Sequence, residues 1–247
     1  MKVALLRPEE YIEKSANLLK SRGFEVVVAP FLKIVRNEEG IERLKTVKDF
    51  DTVIITSQTA ARIVAQHSPE ILNGKRAIAI GKKTAGVLSE LGINPDLPSK
   101  YDSATLYHEF VDELKGKRIL ILRSDKGDPI LLKLAEVADI EEIVLYRIER
   151  EWGERQRELI KHVAQRNIDA VVFSSSMMVK SFMELAHSME LFEDVKRGLN
   201  TIHTVAIGPP TKKVLEEYGV KAVMPAEYTF DGVLKLLIDL RGSQFRF

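Results

Sequence analysis

Two stretches of this chain carry the same short segments in the same order, which reports duplication of a whole structural unit and removes most other arrangements of the polymer. Val3-Ala4-Leu5-Leu6-Arg7, continuing to Val27-Val28-Ala29-Pro30, matches Ile119-Leu120-Ile121-Leu122-Arg123, continuing to Ile143-Val144-Leu145-Tyr146, at a constant offset of 116. Asp51-Thr52-Val53-Ile54-Ile55-Thr56-Ser57 matches Asp169-Ala170-Val171-Val172-Phe173-Ser174-Ser175 at an offset of 118, and Ala79-Ile80-Gly81-Lys82-Lys83-Thr84 matches Ala206-Ile207-Gly208-Pro209-Pro210-Thr211 at 127. Eleven residues separate Gly81 from Gly92 and Gly208 from Gly219, and seventeen separate Gly81 from Pro98 and Gly208 from Pro225. The general likeness of one strand-helix unit to another explains the apolar runs. It does not explain a shared Gly-x-x-Thr with equal spacings behind it.

The repeated unit is a short Val/Ile-rich run followed by a segment of helical period, the pattern of an α/β protein whose mostly parallel sheet is buried on both faces. Strands are predicted at residues 2–6, 25–29, 52–55, 76–80, 118–122, 142–146, 170–173, 203–207 and 221–224. Helices are predicted at 9–21, 58–67, 83–91, 104–114, 129–137, 154–166, 177–186, 210–218 and 230–240. Gly23, Gly92 and Gly219 follow three of these helices, where a C-cap needs a positive φ. No Gly, Ser or Pro-rich linker divides the halves, so domain boundaries must fall in segments that themselves read as extended, 31–36 and 146–150. A chain crossing twice between two domains and a simple tandem of two domains both satisfy this pattern.

Charge and cysteine content narrow the function classes. The 37 Lys and Arg balance 36 Asp and Glu, so there is no basic field to hold a nucleic-acid backbone and no nucleic-acid partner is expected. With no cysteine, disulfides, thiolate metal sites and cysteine nucleophiles are excluded. Nothing approaches the roughly 18 apolar residues of a membrane span, and residues 1–6 are too short for a signal-peptide core before Arg7, Glu9 and Glu10. A cytoplasmic protein without a membrane partner is expected.

Parallel sheets bind ligands beyond the carboxyl ends of their strands, where loops run into helix N-termini. Here those loops read Arg7-Pro8-Glu9, Thr56-Ser57-Gln58-Thr59, Gly81-Lys82-Lys83-Thr84, Arg123-Ser124-Asp125-Lys126-Gly127, Ser174-Ser175-Ser176, Gly208-Pro209-Pro210-Thr211 and Glu227-Tyr228-Thr229. Glycine and small hydroxylated residues at such points leave backbone N–H groups and the positive end of the helix dipole free to meet an anion. Ser and Thr also serve as N-caps, but capping takes one residue, and 56–59 and 174–176 offer several. Lys82 and Lys83 at a helix start oppose the dipole, which favours a nearby anion. Tyr146 ends a strand at one proposed crossing, which would bring its hydroxyl to a cleft between domains. No dinucleotide fingerprint or P-loop occurs, and the five histidines lack the i, i+4 spacing of a helical metal site. Trp152 reads as core or interface, and 241–247, with Phe245 and Phe247, as a frayed tail without an assigned role.

Taken as an ordered set, Val3–Pro8, Asp51–Ser57, Ala79–Ala85, Val144–Tyr146, Val171–Ser175 and Val205–Thr211 resemble the uroporphyrinogen-III synthase family over nearly the whole chain. The most specific element is Ala206-Ile207-Gly208-Pro209 followed by Thr211, with Gly219 and Pro225 behind it. One departure is Pro210, where relatives often carry a first threonine. The resemblance implies two flavodoxin-like parallel-sheet α/β domains, the first discontinuous (1–33 plus 150–247), the second 36–144, joined by linkers at 31–36 and 145–150. It implies an enzyme that closes hydroxymethylbilane, a linear tetrapyrrole with eight carboxylates, with loss of water and inversion of the last ring. Neither cofactor nor metal is expected, and a monomer is the simplest assembly.

On this reading Tyr146 is the proton donor to the departing hydroxyl. Arg7, Thr56, Ser57, Gln58, Thr59, Gly81, Lys82, Thr84, Ser124, Ser174, Ser175, Ser176, Gly208, Pro209 and Thr211 are the substrate-binding set. The bilane also closes unaided to a symmetric isomer, so the enzyme's main task would be to select a folded conformation. Two alternatives remain at this point: a two-lobed module that binds an anionic metabolite without catalysis, and a two-domain glycosyltransferase.

Overall fold

The computed structural model describes residues 1–243. In chain order the strands are β1 (Lys2–Leu6), β2 (Glu25–Val28), β3 (Leu32–Arg36), β4 (Thr52–Ile55), β5 (Arg76–Ala79), β6 (Arg118–Ser124), β7 (Asp139–Arg150), β8 (Ala170–Phe173) and β9 (His203–Ala206). The α-helices are α1 (Glu9–Lys20), α2 (Glu38–Leu44), α3 (Gln58–His67), α4 (Lys82–Ser89), α5 (Ser103–Phe110), α6 (Glu154–Ala164), α7 (Ser176–Ser188), α8 (Phe192–Thr201), α9 (Pro209–Glu217) and α10 (Phe230–Ser243). They form two compact units, Met1–Lys33 with Glu149–Phe247, and Ile34–Ile148.

The first unit is built on a parallel sheet ordered β2-β1-β8-β9. Alternate residues leave its two faces, as the strand period of two requires. Ala4, Leu6, Val171, Phe173 and Ala206 pack beneath α6, α7, α8 and α9, while Val3, Leu5, Ala170, Val172 and Val205 pack against α1 and α10. The second unit holds a sheet ordered β3-β7-β6-β4-β5, parallel from β7 to β5. Val53, Ile55, Leu120 and Leu122 face α3 and α4, and Ile54, Ile78, Ile119 and Ile121 face α5 and a 3-10 helix at Pro129–Glu136. Continuous Val/Ile/Leu runs are what a sheet covered on both faces demands.

Several expectations need correction. Residues 129–137 wind as a 3-10 rather than an α-helix, since Leu131 and Leu134, three apart and fully buried, eclipse one another on one side of the tighter spiral. Residues 221–224 contribute only a bridge between Val205 and Val223, where Val223 stays 43% exposed and Pro225 follows. The segments 31–36 and 146–150 are extended as expected, within β3 at a sheet edge and its twelve-residue neighbour β7. α10 continues through Ser243 instead of fraying from 241, because Arg241 donates to the Arg22 carbonyl at 2.8 Å and stacks 4.3 Å from the Phe24 ring centre. Residues 244–247, with Phe245 and Phe247, lie outside the described residues. The three helix-ending glycines do adopt positive φ, at 77°, 77° and 74° for Gly23, Gly92 and Gly219.

α2 and α8 were not foreseen, and each carries an interior glycine that weakens the helical signal. Packing explains both. A Cβ at Gly40 would lie 2.1 Å from the Val144 carbonyl oxygen, and one at Gly198 2.1 Å from that of Val163. Gly198→Ala is therefore expected to destabilise the protein by about 2 kcal/mol through overpacking. Gly86→Ala, in open space on α4, should instead stabilise it by roughly 0.5–1 kcal/mol. Urea unfolding midpoints of the two variants test the opposite signs.

Candidate functional site

In the first unit, three adjacent parallel strands stop in register, with Leu6 beside Phe173 and Phe173 beside Ala206. The chain beyond them forms a rim of Arg7, Ser174–Ser176 and Gly208–Thr211. The sheet ladder runs one step further, through Ser174 N–H to the Leu6 carbonyl (3.2 Å) and Ile207 N–H to that of Phe173 (3.0 Å). Ser175 caps α7 by accepting from Met178 N–H at 3.2 Å. Gly208 precedes α9 without a side-chain cap.

Arg7 is the unusual member of this rim. Its guanidinium lies 4.7 Å from the Phe230 ring centre and 5.8 Å from that of Tyr11. Its Nε and Nη1 are buried without a hydrogen-bond partner, and so is Oγ of Ser174, on the neighbouring strand end. Burial lowers the Arg7 pKa, opposed by Tyr11. The repeat-related Arg123 occupies the same strand end of the second unit and is satisfied there: Nε donates to Glu142 at 2.5 Å and Nη1 to the Asp128 carbonyl at 2.6 Å. Glu142 stands beside Ile121 in the sheet as Val28 stands beside Leu5, the repeat partner of Ile121. The first half thus keeps the cation and lacks its carboxylate.

In the second unit, Ser57 caps α3 by accepting from Ala60 N–H at 3.0 Å. Tyr146, on β7 and only 5% exposed, donates its hydroxyl to the same Ser57 Oγ at 3.0 Å. The fold therefore brings the expected proton donor to the loop of Thr56, Ser57, Gln58 and Thr59, all partly exposed. Gly81 opens α4 with no side-chain cap, and Lys82 beside it is exposed, its Nζ 5.8 Å from the Tyr101 ring centre.

Other expected members are placed less favourably. Thr84 and Thr211 are each 3% exposed, so the shared threonine of Gly-x-x-Thr is interior in both halves. Ser124 is 8% exposed and its Oγ accepts from Lys126 N–H at 3.2 Å, within its own turn. Pro209 and Pro210 carry no N–H, which removes donors from the start of α9. Sequence reasoning missed Phe230 and Tyr11 as the walls around Arg7. A valine in the first half where the second half has Glu142 was the available signal. Trp152 joins the core and donates to Ser181 Oγ at 3.0 Å.

Among the described residues, no helix is long and apolar enough to cross a membrane, and no three acidic or histidine side chains converge as a metal site would need. The family model described as uroporphyrinogen-III synthase HemD matches residues 13–235. A provisionally named uroporphyrinogen-III synthase of Archaeoglobus fulgidus is 43% identical over 96% of this chain and 98% of its own. A mutant uroporphyrinogen III synthase of Thermus thermophilus shares the fold, with a TM-score of 0.72 at 21% identity over 99% of both chains. So does the enzyme of that name from Helicobacter pylori, with a TM-score of 0.61 at 16% identity over 97% of this chain and 99% of that one. With a family model spanning most of its length and a relative this similar, the chain belongs to the uroporphyrinogen-III synthase family.

Proposed function

We propose that the protein cyclises hydroxymethylbilane to uroporphyrinogen III, losing water and inverting the last pyrrole ring, as two flavodoxin-like domains of which the first is discontinuous. The observation that carries this reading beyond family membership is that Nε and Nη1 of the half-buried Arg7, and Oγ of Ser174 on the neighbouring strand end, have no hydrogen-bond partner. A partly desolvated cation without a counter-charge is unfavourable, and a ligand carboxylate offsets that cost. A polycarboxylate bilane supplies such groups. The helix N-termini at Thr56–Thr59 and Ser174–Ser176 add backbone N–H donors, as does Gly81 with Lys82.

The chemistry asks little of the protein. The pyrrole nitrogen lone pair expels the terminal hydroxyl as a proton reaches its oxygen, leaving water and a cation that the substituted carbon of the last ring attacks. Tyr146 supplies that proton in this scheme. Its hydroxyl must turn from Ser57 Oγ to the leaving oxygen, and Ser57, which retains a hydrogen of its own, can then donate to the resulting phenolate. Binding that holds one folded conformer favours ring inversion over spontaneous closure.

The test is to supply fresh hydroxymethylbilane, oxidise the products and separate the uroporphyrin isomers. An excess of isomer III over the protein-free control is expected; isomer I alone at the spontaneous rate, from folded protein, refutes the proposal. Tyr146→Phe should lower kcat by about 10² and cost no more than about 1 kcal/mol of stability, the value of one hydrogen bond. Unchanged turnover would remove its role.

Arg7→Met should raise KM about ten-fold, the loss of one charge-assisted contact. Without ligand it should leave stability unchanged or slightly higher, because a half-buried charge without a counter-charge is gone. Arg123→Met should lose about 2 kcal/mol, as it strands Glu142. Equal losses in the two arginine variants would show Arg7 to be structural.

A further inference from the structure

Among the described residues, the large hydrophobic side chains standing exposed are Tyr101 (53%), Val223 (43%) and Tyr228 (57%), and the two tyrosines occupy the same place in the two halves. They are 127 residues apart, the offset of the Ala-Ile-Gly segments, and each follows by twenty residues the glycine that opens a helix at its rim, Gly81 or Gly208. Each rests on that glycine. A Cβ at Gly81 would lie 3.0 Å from Tyr101 Cβ and 3.2 Å from its Cγ, and one at Gly208 3.4 Å from Tyr228 Cγ. Both glycines have extended backbone, φ −175° and −170°, so the close aromatic rather than the backbone conformation calls for glycine at 81.

Each tyrosine is also held from behind. Asp102 caps α5 by accepting from Thr105 N–H at 2.7 Å, and Thr229 Oγ1 accepts from Gly232 N–H at 3.1 Å at the start of α10. This makes each tyrosine the residue before the cap, where a hydrophobic side chain ordinarily folds onto the fourth helical residue. Those residues, Leu106 and Val233, are fully buried, yet more than half of each tyrosine stays in solvent.

Each rim also carries a cation. Lys82 Nζ is 5.8 Å from the Tyr101 ring centre. Two residues beyond Tyr228, the Phe230 ring carries the Arg7 guanidinium at 4.7 Å, with Nε and Nη1 unpartnered. A flat aromatic face with a cation nearby fits an aromatic ring bearing a carboxylate. We infer that Tyr101 and Tyr228 are each, within its own unit, a positioning residue on which a carboxylated pyrrole ring stacks, with Lys82 the carboxylate partner on the rim of Tyr101 and Arg7 that on the rim of Tyr228. The inference rests on the proposed synthase reading for its ligand.

The experiment compares Tyr101→Leu, Tyr228→Leu, Tyr101→Phe and Tyr228→Phe in the full chain, with Val223→Ala as control. Leucine keeps apolar cover over the glycine and removes the aromatic face; phenylalanine keeps that face and removes the hydroxyl. Equilibrium binding of uroporphyrin III, followed by porphyrin fluorescence, reads the ring contact without catalysis. Each Leu variant is expected to bind about five-fold more weakly and to raise KM by a similar factor, the scale of one aromatic contact. Both Phe variants and the control should stay within about two-fold of wild type on the same scale, with unchanged melting temperatures. Wild-type binding by both Leu variants overturns the inference, as does a Phe loss equal to the Leu loss. If wild-type protein makes no excess of isomer III, the synthase reading fails separately, and the uroporphyrin titration still decides the role of the tyrosines.

Discussion

Pairing of β1 with β8 joins the first residues of the chain to its second half, with Val3 beside Ala170 and Leu6 beside Phe173. Everything in the first unit depends on this contact, because β1 is central there and Arg7 reaches the rim only through it. Loop-closure entropy grows slowly with length, so a separation this long costs only modestly more than a short crossover. It is offset by complete burial of Val3, Ala4, Leu5 and Leu6 on both faces of the sheet. The intervening segment Ile34–Ile148 has a core of its own, closed by the comparable pairing of β4 with β6. The outgoing and returning chain stays in touch where it leaves the first unit, through Glu151 N–H to the Phe31 carbonyl at 3.0 Å and the Lys33–Glu149 ion pair at 3.2 Å.

The two halves carry rims of like strand order and unlike chemistry. Both strand ends carry an arginine, but Arg123 is spent on Glu142 and the Asp128 carbonyl, where it fixes a turn so tight that Gly127 has no room for a Cβ. In the first half Val28 stands where the second has Glu142, and Nε and Nη1 of Arg7 are left without a partner. The second rim instead holds the directional group, Tyr146 hydrogen-bonded to the cap serine of α3. In the proposed mechanism, charge recognition and proton delivery are therefore divided between the halves.

Periodicity made much of this legible. β1, β4, β8 and α3 have the predicted limits because their sequences combine unbroken apolar runs with clear boundaries. β7 ran longer than expected since only its middle is apolar: Glu141, Glu142, Arg147, Glu149 and Arg150 are partly or largely exposed, and such charges mask a strand lying next to a sheet edge. Gly40 and Gly198 hid α2 and α8 for the opposite reason, as their helices pack too closely against a carbonyl to carry a side chain. The rim loops were visible as clusters of Gly, Ser and Thr. Which hydroxyls turn inward was not, because Thr84 and Thr211 follow their glycines at the spacing that places them on the buried side of the helix. The tyrosines at the common 20-residue spacing carried no signal of their own, since exposure is a property of the folded surface.

A nearly neutral chain that binds a polyanion cannot rely on long-range attraction, so the proposed affinity must come from fixed donors at short range. The two rims supply these differently. Pro209 and Pro210 fix the start of α9 at the cost of its first N–H groups, while α7, beginning at Ser176, keeps its own. On the proposed reading that leaves Arg7 to provide the strongest interaction on the first rim, from a half-buried site between Tyr11 and Phe230, where a charge-assisted contact is worth more than at an exposed lysine. Lys82 on the second rim is exposed and screened, and contributes correspondingly less. On the proposed reading Arg7 is thus the stronger carboxylate anchor and Lys82 the weaker, each on the rim of its own unit.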